Sequence, residues 1–362
     1  MKLKKFLALI LSVLMLISVG SVVSFAENEA LPLSAGLEAL QGQFKYGEGP
    51  ETNGYTIDYR YYSPAKENDE TKYPLVIWLH GMGEGLPEGK QIKQNNIAYW
   101  TSAEFQARFE GTNGAYIMAP RSLEEQLIFW DDTMIYPLRA AIDSFIAENA
   151  KNIDISRIYI GGFSMGGKMT LKMAVAYPDM FAAAFPICPA WNPSAEQTAL
   201  MADIPVWLTS GKGDPLVNYS ASVTPTWNNI AATNNNPELC RFSTLSTVKY
   251  PDGSNTSSAH HAWFAVNYDM FSIENGDYPD MSTVNGKGET VTLTYPNGMI
   301  SWLSQFASDY DGTPASDSGN IPVDENTSNL FSLDTIIAVV KPIVEVFMKL
   351  ISMGMALLKN IL

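Results

Sequence analysis

The stretch Arg157–Gly167 constrains this chain most. Arg157–Ile160 (RIYI) alternates as a strand does. It runs into Gly161-Gly162-Phe163-Ser164-Met165-Gly166-Gly167, and Met165–Tyr177 then takes up a helical period stopped by Pro178. A strand passing to a helix through so few residues needs a very tight turn. Gly162 and Gly166 flank Ser164 at two residues on either side, as required where backbone crowds too closely for a Cβ. Ser164 is thereby lifted clear of the sheet as a candidate nucleophile, with the free N–H groups of a helix start beside it.

Around this unit, strands and helices interleave. Tyr55–Tyr62 alternates like an exposed antiparallel strand. Leu75–Leu79 (LVIWL) and Ala115–Ala119 (AYIMA) are short, wholly apolar runs, as expected of buried parallel strands. Further strands are expected at Met180–Ile187, Pro205–Thr209 and Cys240–Tyr250. Helices are expected at Pro137–Lys151, Ala221–Thr233 and Gly298–Ala307. The fold class this implies is α/β, a mainly parallel central sheet with helices on both faces. At 46% hydrophobic and 17% charged residues, 362 residues can bury such a core.

A serine nucleophile needs a base, and the chain holds three histidines: His80, His260 and His261. His80 follows Leu75–Leu79 in His80-Gly81-Met82-Gly83-Glu84-Gly85. A turn there supplies an oxyanion donor, so His80 reads as a loop-holding residue. The backbone N–H groups of Met82 and Met165 are the expected oxyanion donors. That leaves Ser257-Ser258-Ala259-His260-His261-Ala262-Trp263 for the base. His260 is preferred, with His261 as the alternative. The orienting carboxylate is expected from Asp214, in Ser210-Gly211-Lys212-Gly213-Asp214-Pro215, past the end of a strand. Asp252, in a Pro251-Asp252-Gly253 turn, is the bland alternative.

The set LHGMGEG, GGFSMGG, SGKGDPLV, HHAWF and ISWLSQ, over about Tyr55 to Tyr310, resembles secreted bacterial α/β-hydrolases. It is most similar to feruloyl-esterase, acetyl-xylan-esterase and polyhydroxybutyrate-depolymerase-like esterases and to prolyl-oligopeptidase catalytic domains. The resemblance implies the α/β-hydrolase fold and the triad Ser164, Asp214 and His260. It also implies hydrolysis through an acyl-enzyme with neither metal nor organic cofactor. The stretch before Tyr55 has no room for a β-propeller lid, so an ester is expected before a peptide. Two departures in function stay open, a secreted peptidase of the same fold and an inert hydrolase fold used for binding. Trp130, Trp191 and Trp263, with Trp100 as a further candidate, stand on segments expected near the mouth. They are candidates for a substrate wall or, equally, for core packing. Asn267–Asn297 interrupts the family pattern with a Gly286-Lys287-Gly288 hairpin signal.

The ends have their own character. Lys2, Lys4 and Lys5 precede an apolar run from Phe6 to Val19, and Ser24-Phe25-Ala26 offers a cleavage site. Residues 1–26 are therefore expected to be a secretory leader, with an uncleaved anchor as the alternative. Residues 27–310 form the expected catalytic domain. Residues 311–329, rich in Asp, Ser, Asn and Gly, are the expected linker. Residues 330–362 form an apolar helical tail with one polar stripe through Lys341, Glu345, Lys349 and Ser352. Its expected partners are a membrane surface, a second copy of the chain, or the catalytic domain itself.

The net charge is −15, and −18 without the three-lysine leader. So acidic a chain is not expected to bind nucleic acid. Two cysteines exclude a Cys-rich metal site, and export permits a Cys188–Cys240 disulfide, with two buried thiols as the alternative. The expected partner is an ester-bearing polymer or a small ester.

Overall fold

The computed structural model describes residues 34–126, 128–250, 253–268, 281–291 and 298–315. The expected leader, the apolar tail, most of the expected linker and Asp252 lie outside the described residues. So do parts of the Asn267–Asn297 stretch. The described residues fall in one compact unit, Pro32–Pro322.

A nine-stranded sheet runs through it: β1 (Lys45–Glu48), β2 (Asp58–Tyr62), β3 (Tyr73–Leu79), β4 (Tyr116–Pro120), β5 (Ile153–Phe163), β6 (Ala183–Ile187), β7 (Trp207–Gly211), β8 (Arg241–Leu245) and β9 (Met281–Asn285). Their spatial order is β1-β2-β4-β3-β5-β6-β7-β8-β9. The six strands from β4 to β8 are parallel, and antiparallel strands stand at both ends. Every residue of β3 and β4 is buried, which explains their unbroken apolar runs.

Alternation along β3 shows that both faces are covered. Leu75, Ile77 and Leu79 enter one core with Leu138, Ile142, Met169 and Met173. The helices carrying these are α4 (Ile135–Glu148) and α5 (Met165–Ala176), which follow α1 (Ser34–Gln41), α2 (Lys90–Lys93) and α3 (Ala103–Gln106). Trp78 points the other way and meets Trp100 edge-on at 5.4 Å, and Trp100 stacks on Phe105 of α3. Further along, helices α6 (Ala195–Ala199), α7 (Thr224–Thr233), α8 (Trp263–Asn267) and α9 (Met299–Leu303) complete the described set. Trp302 of α9 packs on Trp207 of β7.

The interleaved pattern and its strand positions agree with the sequence reading. Two edge strands add to it, β1 unexpected and β9 as the first arm of the expected hairpin. β1 (KYGE) is largely exposed, and β9 (MSTVN) lies inside the Asn267–Asn297 stretch, paired with β8. The hairpin signal there is real as far as residue 291: Asn285 N–H donates to Glu289, and Val291 N–H to Thr283. Past Tyr310, residues 311–315 are held against α4. Arg139 donates to the Thr313 carbonyl, and Ala315 N–H donates to Asp143.

Cys188 and Cys240 are both free thiols, which corrects the disulfide option. Cys188 sits just past β6 and Cys240 just before β8, and β7 lies between those strands.

Candidate active site

The turn from β5 to α5 holds Ser164 at φ 59°, ψ −112°, a conformation that L-residues adopt only under constraint. Three backbone hydrogen bonds supply it. Ser164 N–H donates to Ile187 at 2.8 Å, while its carbonyl accepts from Lys168 at 2.9 Å and Ala190 at 3.1 Å. The glycines are required by β3. A Cβ on Gly166 would fall 1.9 Å from the Leu79 carbonyl oxygen, and one on Gly162 would fall 2.5 Å from the same atom. Their absence lets the end of β3, and the loop after it, lie directly against the nucleophile turn.

That loop is tied from within. Gly81 N–H donates to Glu84 at 2.6 Å. Gly83 and Gly85 N–H donate to the two oxygens of Glu124 at 2.8 and 3.1 Å. Met82 N–H, between them, has no partner among the described residues, and neither does Met165 N–H at the start of α5. Met82's side chain is 50% exposed. Burial pushes the Glu84 carboxyl up to about 7, against the pull of the Gly81 N–H and Asn95, and it also raises Glu124.

His80 is fully buried. Nδ1 lies 2.7 Å from the Gly81 carbonyl, and Nε2 accepts the Ser122 N–H at 3.1 Å. Only the neutral Nδ1–H tautomer satisfies both contacts. Burial pulls its pKa down to about 4, helped by the charges of Arg121 and Lys90. His80 therefore holds the loop.

β7 and the segment before α8 bring in the remaining pair. A Cβ on Gly211 would lie 2.2 Å from the Ala259 carbonyl oxygen, so this glycine lets the two loops meet. Asp214 Oδ2 stands 2.7 Å from His260 Nδ1. Asp214 Oδ1 accepts the N–H groups of Leu216 and Val217 at 2.8 and 2.9 Å. Burial alone would raise the Asp214 carboxyl, but the His260 hydrogen bond, its charge and the two N–H groups together hold it below the usual range. Ser258 caps the turn and accepts the His260 N–H. His261, the alternative, instead faces the rings of Trp263 and Phe264.

The pair adjoins the nucleophile turn. Phe163, next to Ser164, packs on the His260 ring at 4.7 Å. Ile187, which accepts the Ser164 N–H, precedes Cys188, whose Sγ lies 3.7 Å from the His260 carbonyl. Among the described residues, Cys188, Asp214 and His260 are the one His, Cys or acidic group close enough to share an ion, with ligand atoms within 4.8 Å. Burial raises the Cys188 thiol, and the neighbouring Asp214 charge adds to this, so it is a poor thiolate donor. His260 Nδ1 is already engaged by Asp214. The arrangement fits proton transfer better than metal binding.

The tryptophans do not form an open wall. Trp130 is 1% exposed, and its indole N–H donates to the His80 carbonyl at 2.9 Å. Trp191 is buried under the Lys172 ammonium at 4.5 Å. Trp263 is buried and stacked on Phe264, and Trp100 donates to the Asn267 carbonyl. Each is part of the core that carries the loops, which corrects their assignment as substrate-binding residues. The exposed apolar side chains on these loops are Met82, Leu86 and Leu216. The sequence reading missed Glu84 and Glu124, because their partners are backbone N–H groups, which no residue-type pattern reveals.

Comparison with known proteins bears on the fold and on the class of enzyme. The phospholipase/carboxylesterase family matches residues 131–246, which include Ser164 and Asp214 and stop short of His260. NocK of Nocardia uniformis subsp. tsuyamanensis, a protein named as an esterase, is 28% identical over 164 residues, 45% of this chain and 46% of that protein. Poly(3-hydroxybutyrate) depolymerase of Ralstonia pickettii is 29% identical over 145 residues, 36% of this chain and 28% of that protein. The chain thus spans under half the length of these curated relatives. The crystal structure of a thermostable esterase superposes with a TM-score of 0.55 at 24% identity, covering 74% of this chain and 64% of that one. The fold is that of the α/β-hydrolases.

Proposed function

We propose that this protein is an exported serine esterase that cleaves carboxylic esters through an acyl-enzyme on Ser164. The observation that carries this is the 2.7 Å Asp214–His260 pair, set in the same loop cluster as a serine held at φ 59°. The order Ser164, Asp214, His260 along the chain supports it.

In this reading Asp214 fixes the Nδ1–H tautomer, which leaves His260 Nε2 free to take the Ser164 proton. The Ser164–His260 hydrogen bond this requires is proposed to form as substrate arrives. Oγ attacks the ester carbonyl. The oxygen that becomes negative is received by the unpartnered N–H groups of Met82 and Met165. His260 returns the proton to the leaving alcohol, and water, activated the same way, releases the acid. No step needs a metal or organic cofactor.

The acyl side is proposed to be apolar, since Met82 and Leu216 are the exposed side chains beside the oxyanion donor and the acid. An ester-bearing polymer, including a feruloylated or acetylated polysaccharide, remains the proposed natural substrate class. Export rests on the leader pattern of residues 1–26. Association with a membrane surface or a second copy is assigned to residues 330–362.

The test is a panel of short aliphatic, long aliphatic and feruloyl p-nitrophenyl esters beside a prolyl amide, with Ser164→Ala as control. Ester turnover abolished by Ser164→Ala is expected. Amide cleavage without ester cleavage would move the assignment to a peptidase. Inertness on every substrate would favour a binding protein on a hydrolase fold.

A further inference from the structure

The loop after β3 has an alternating pattern of backbone donors. The N–H groups of residues 81, 83 and 85 are each taken by a buried carboxylate. Residue 82, whose N–H has no partner among the described residues, is flanked by two of them. A peptide group is planar, so fixing the N–H of 81 and of 83 restricts the orientation of the one between.

Glu84 is the closer of the two carboxylates, with its 2.6 Å contact lying one residue before Met82. It is itself anchored. Asn95 Nδ2 donates to its other oxygen at 3.2 Å. The Asn95 carbonyl accepts Asn267 Nδ2 at 2.7 Å. Asn267 closes α8, which begins three residues after His260. All three side chains are buried, and Asn95 is held at φ 59°. One hydrogen-bonded chain therefore runs from the loop that carries the expected oxyanion donor to the helix that follows the expected base.

We infer that Glu84 is a positioning residue for hydrolysis: through the Gly81 N–H it sets the Met82 N–H as an oxyanion donor, and through Asn95 and Asn267 it keeps that donor in register with His260. This rests on the serine-esterase reading above. Glu84 touches no substrate. Its effect is felt where charge develops on the carbonyl oxygen, so it bears on kcat and leaves ground-state binding alone.

The substitutions follow from the geometry. Glu84→Gln keeps an oxygen for the Gly81 N–H. Its new NH2 group meets Asn95, whose Oδ1 is buried without a partner and can accept after the amide rotates. Glu84→Ala removes the contact, and Glu84→Asp withdraws the carboxylate by one methylene.

The experiment measures kcat and KM on a p-nitrophenyl ester for the full chain and for Ser164→Ala, Glu84→Ala, Glu84→Asp and Glu84→Gln. Melting temperature and near-ultraviolet circular dichroism report folding. Loss of one oxyanion donor corresponds to a kcat fall of about 10²-fold or more. A fall of that order is expected for Glu84→Ala, with KM within about twofold, and Glu84→Gln should recover most of it. Should Glu84→Ala not fold, Glu84→Asp carries the test, with the same direction expected. Active wild type, inactive Ser164→Ala and unchanged kcat in Glu84→Ala or Glu84→Asp would overturn the inference alone. A rise in KM with kcat intact would also overturn it. An inert wild type, or one indifferent to Ser164→Ala, would overturn the esterase reading and take the inference with it.

Discussion

His260 Nδ1 lies 2.7 Å from Asp214 Oδ2, while Asp214 Oδ1 is fixed by the N–H groups of Leu216 and Val217. The carboxylate is thus held on one side by its own loop and presents its other oxygen to the imidazole. It is 8% exposed, so water competes little for that contact. Asp214→Asn should leave the loop in place but present an amide that favours the wrong tautomer of His260. A fall in kcat of about 10⁴-fold is expected for ester hydrolysis. A loss under tenfold would remove Asp214 from the orienting role.

Gly166 is required by shape. A Cβ there would meet the Leu79 carbonyl oxygen at 1.9 Å and the carbonyl carbon at 2.5 Å, and both atoms are backbone. Relief would require β3 to move away from the nucleophile turn. Gly166→Ala should therefore destabilise by about 3 kcal/mol or more, lowering Tm by roughly 10 °C. Gly213→Ala is the control. Its Cβ would find Ala259 Cβ at 3.8 Å, an ordinary contact, so its stability should stay within about 1 kcal/mol of wild type. Thermal denaturation of the two variants side by side measures the contrast.

What the sequence disclosed, and what it hid, follows from where each signal resides. β3 and β4 could be read because burial on both faces leaves an unbroken apolar run. The Ser164 turn could be read because its crowding demands glycine at two fixed positions. His260 is preferred over His261 for standing three residues before Trp263, while its contact with Asp214, 46 residues away, is carried by no local feature. β9 left only the Gly286-Lys287-Gly288 turn signal, because an edge strand such as Met281–Asn285 can be polar on its open face. The tryptophans could not be placed, because an aromatic near a loop reads alike whether it faces substrate or core. The carboxylates under the Gly81–Gly85 loop left no trace, because Glu124 reaches backbone 41 residues upstream.

His80 and Glu84 give stability opposite dependences on pH. Burial lowers His80 from its ordinary value to about 4. Its contribution is whole above the unfolded value near 6.5 and is lost as pH falls towards 4, by about 3 kcal/mol. Burial raises Glu84 to about 7. The stability tied to its neutral form is whole below about 4.5 and is lost as pH rises through 7, again by about 3 kcal/mol. Urea unfolding at pH 4.5 and pH 8 separates them. Relative to wild type, Glu84→Gln should gain about 3 kcal/mol from the lower to the higher pH. His80→Asn should lose a comparable amount, since it lacks the wild type's rise. Parallel pH profiles for all three proteins would contradict both assignments.

The two thiols make a last separable prediction. Cys188 and Cys240 are free, each is wholly buried, and burial raises both thiols, Cys240 to about 11. Thiolate, the reactive form, is scarce at neutral pH in each, and a reagent cannot reach either sulfur without local opening. A thiol-reactive chromophore should therefore label no cysteine in the native protein and two after unfolding in guanidinium. Dithiothreitol should leave Tm unchanged, because there is no bond for it to cut. A Tm that falls under reduction would mean that the cysteines pair. Cys188, which donates to Ser210 Oγ and to the His260 carbonyl, would then have to leave its place beneath the histidine.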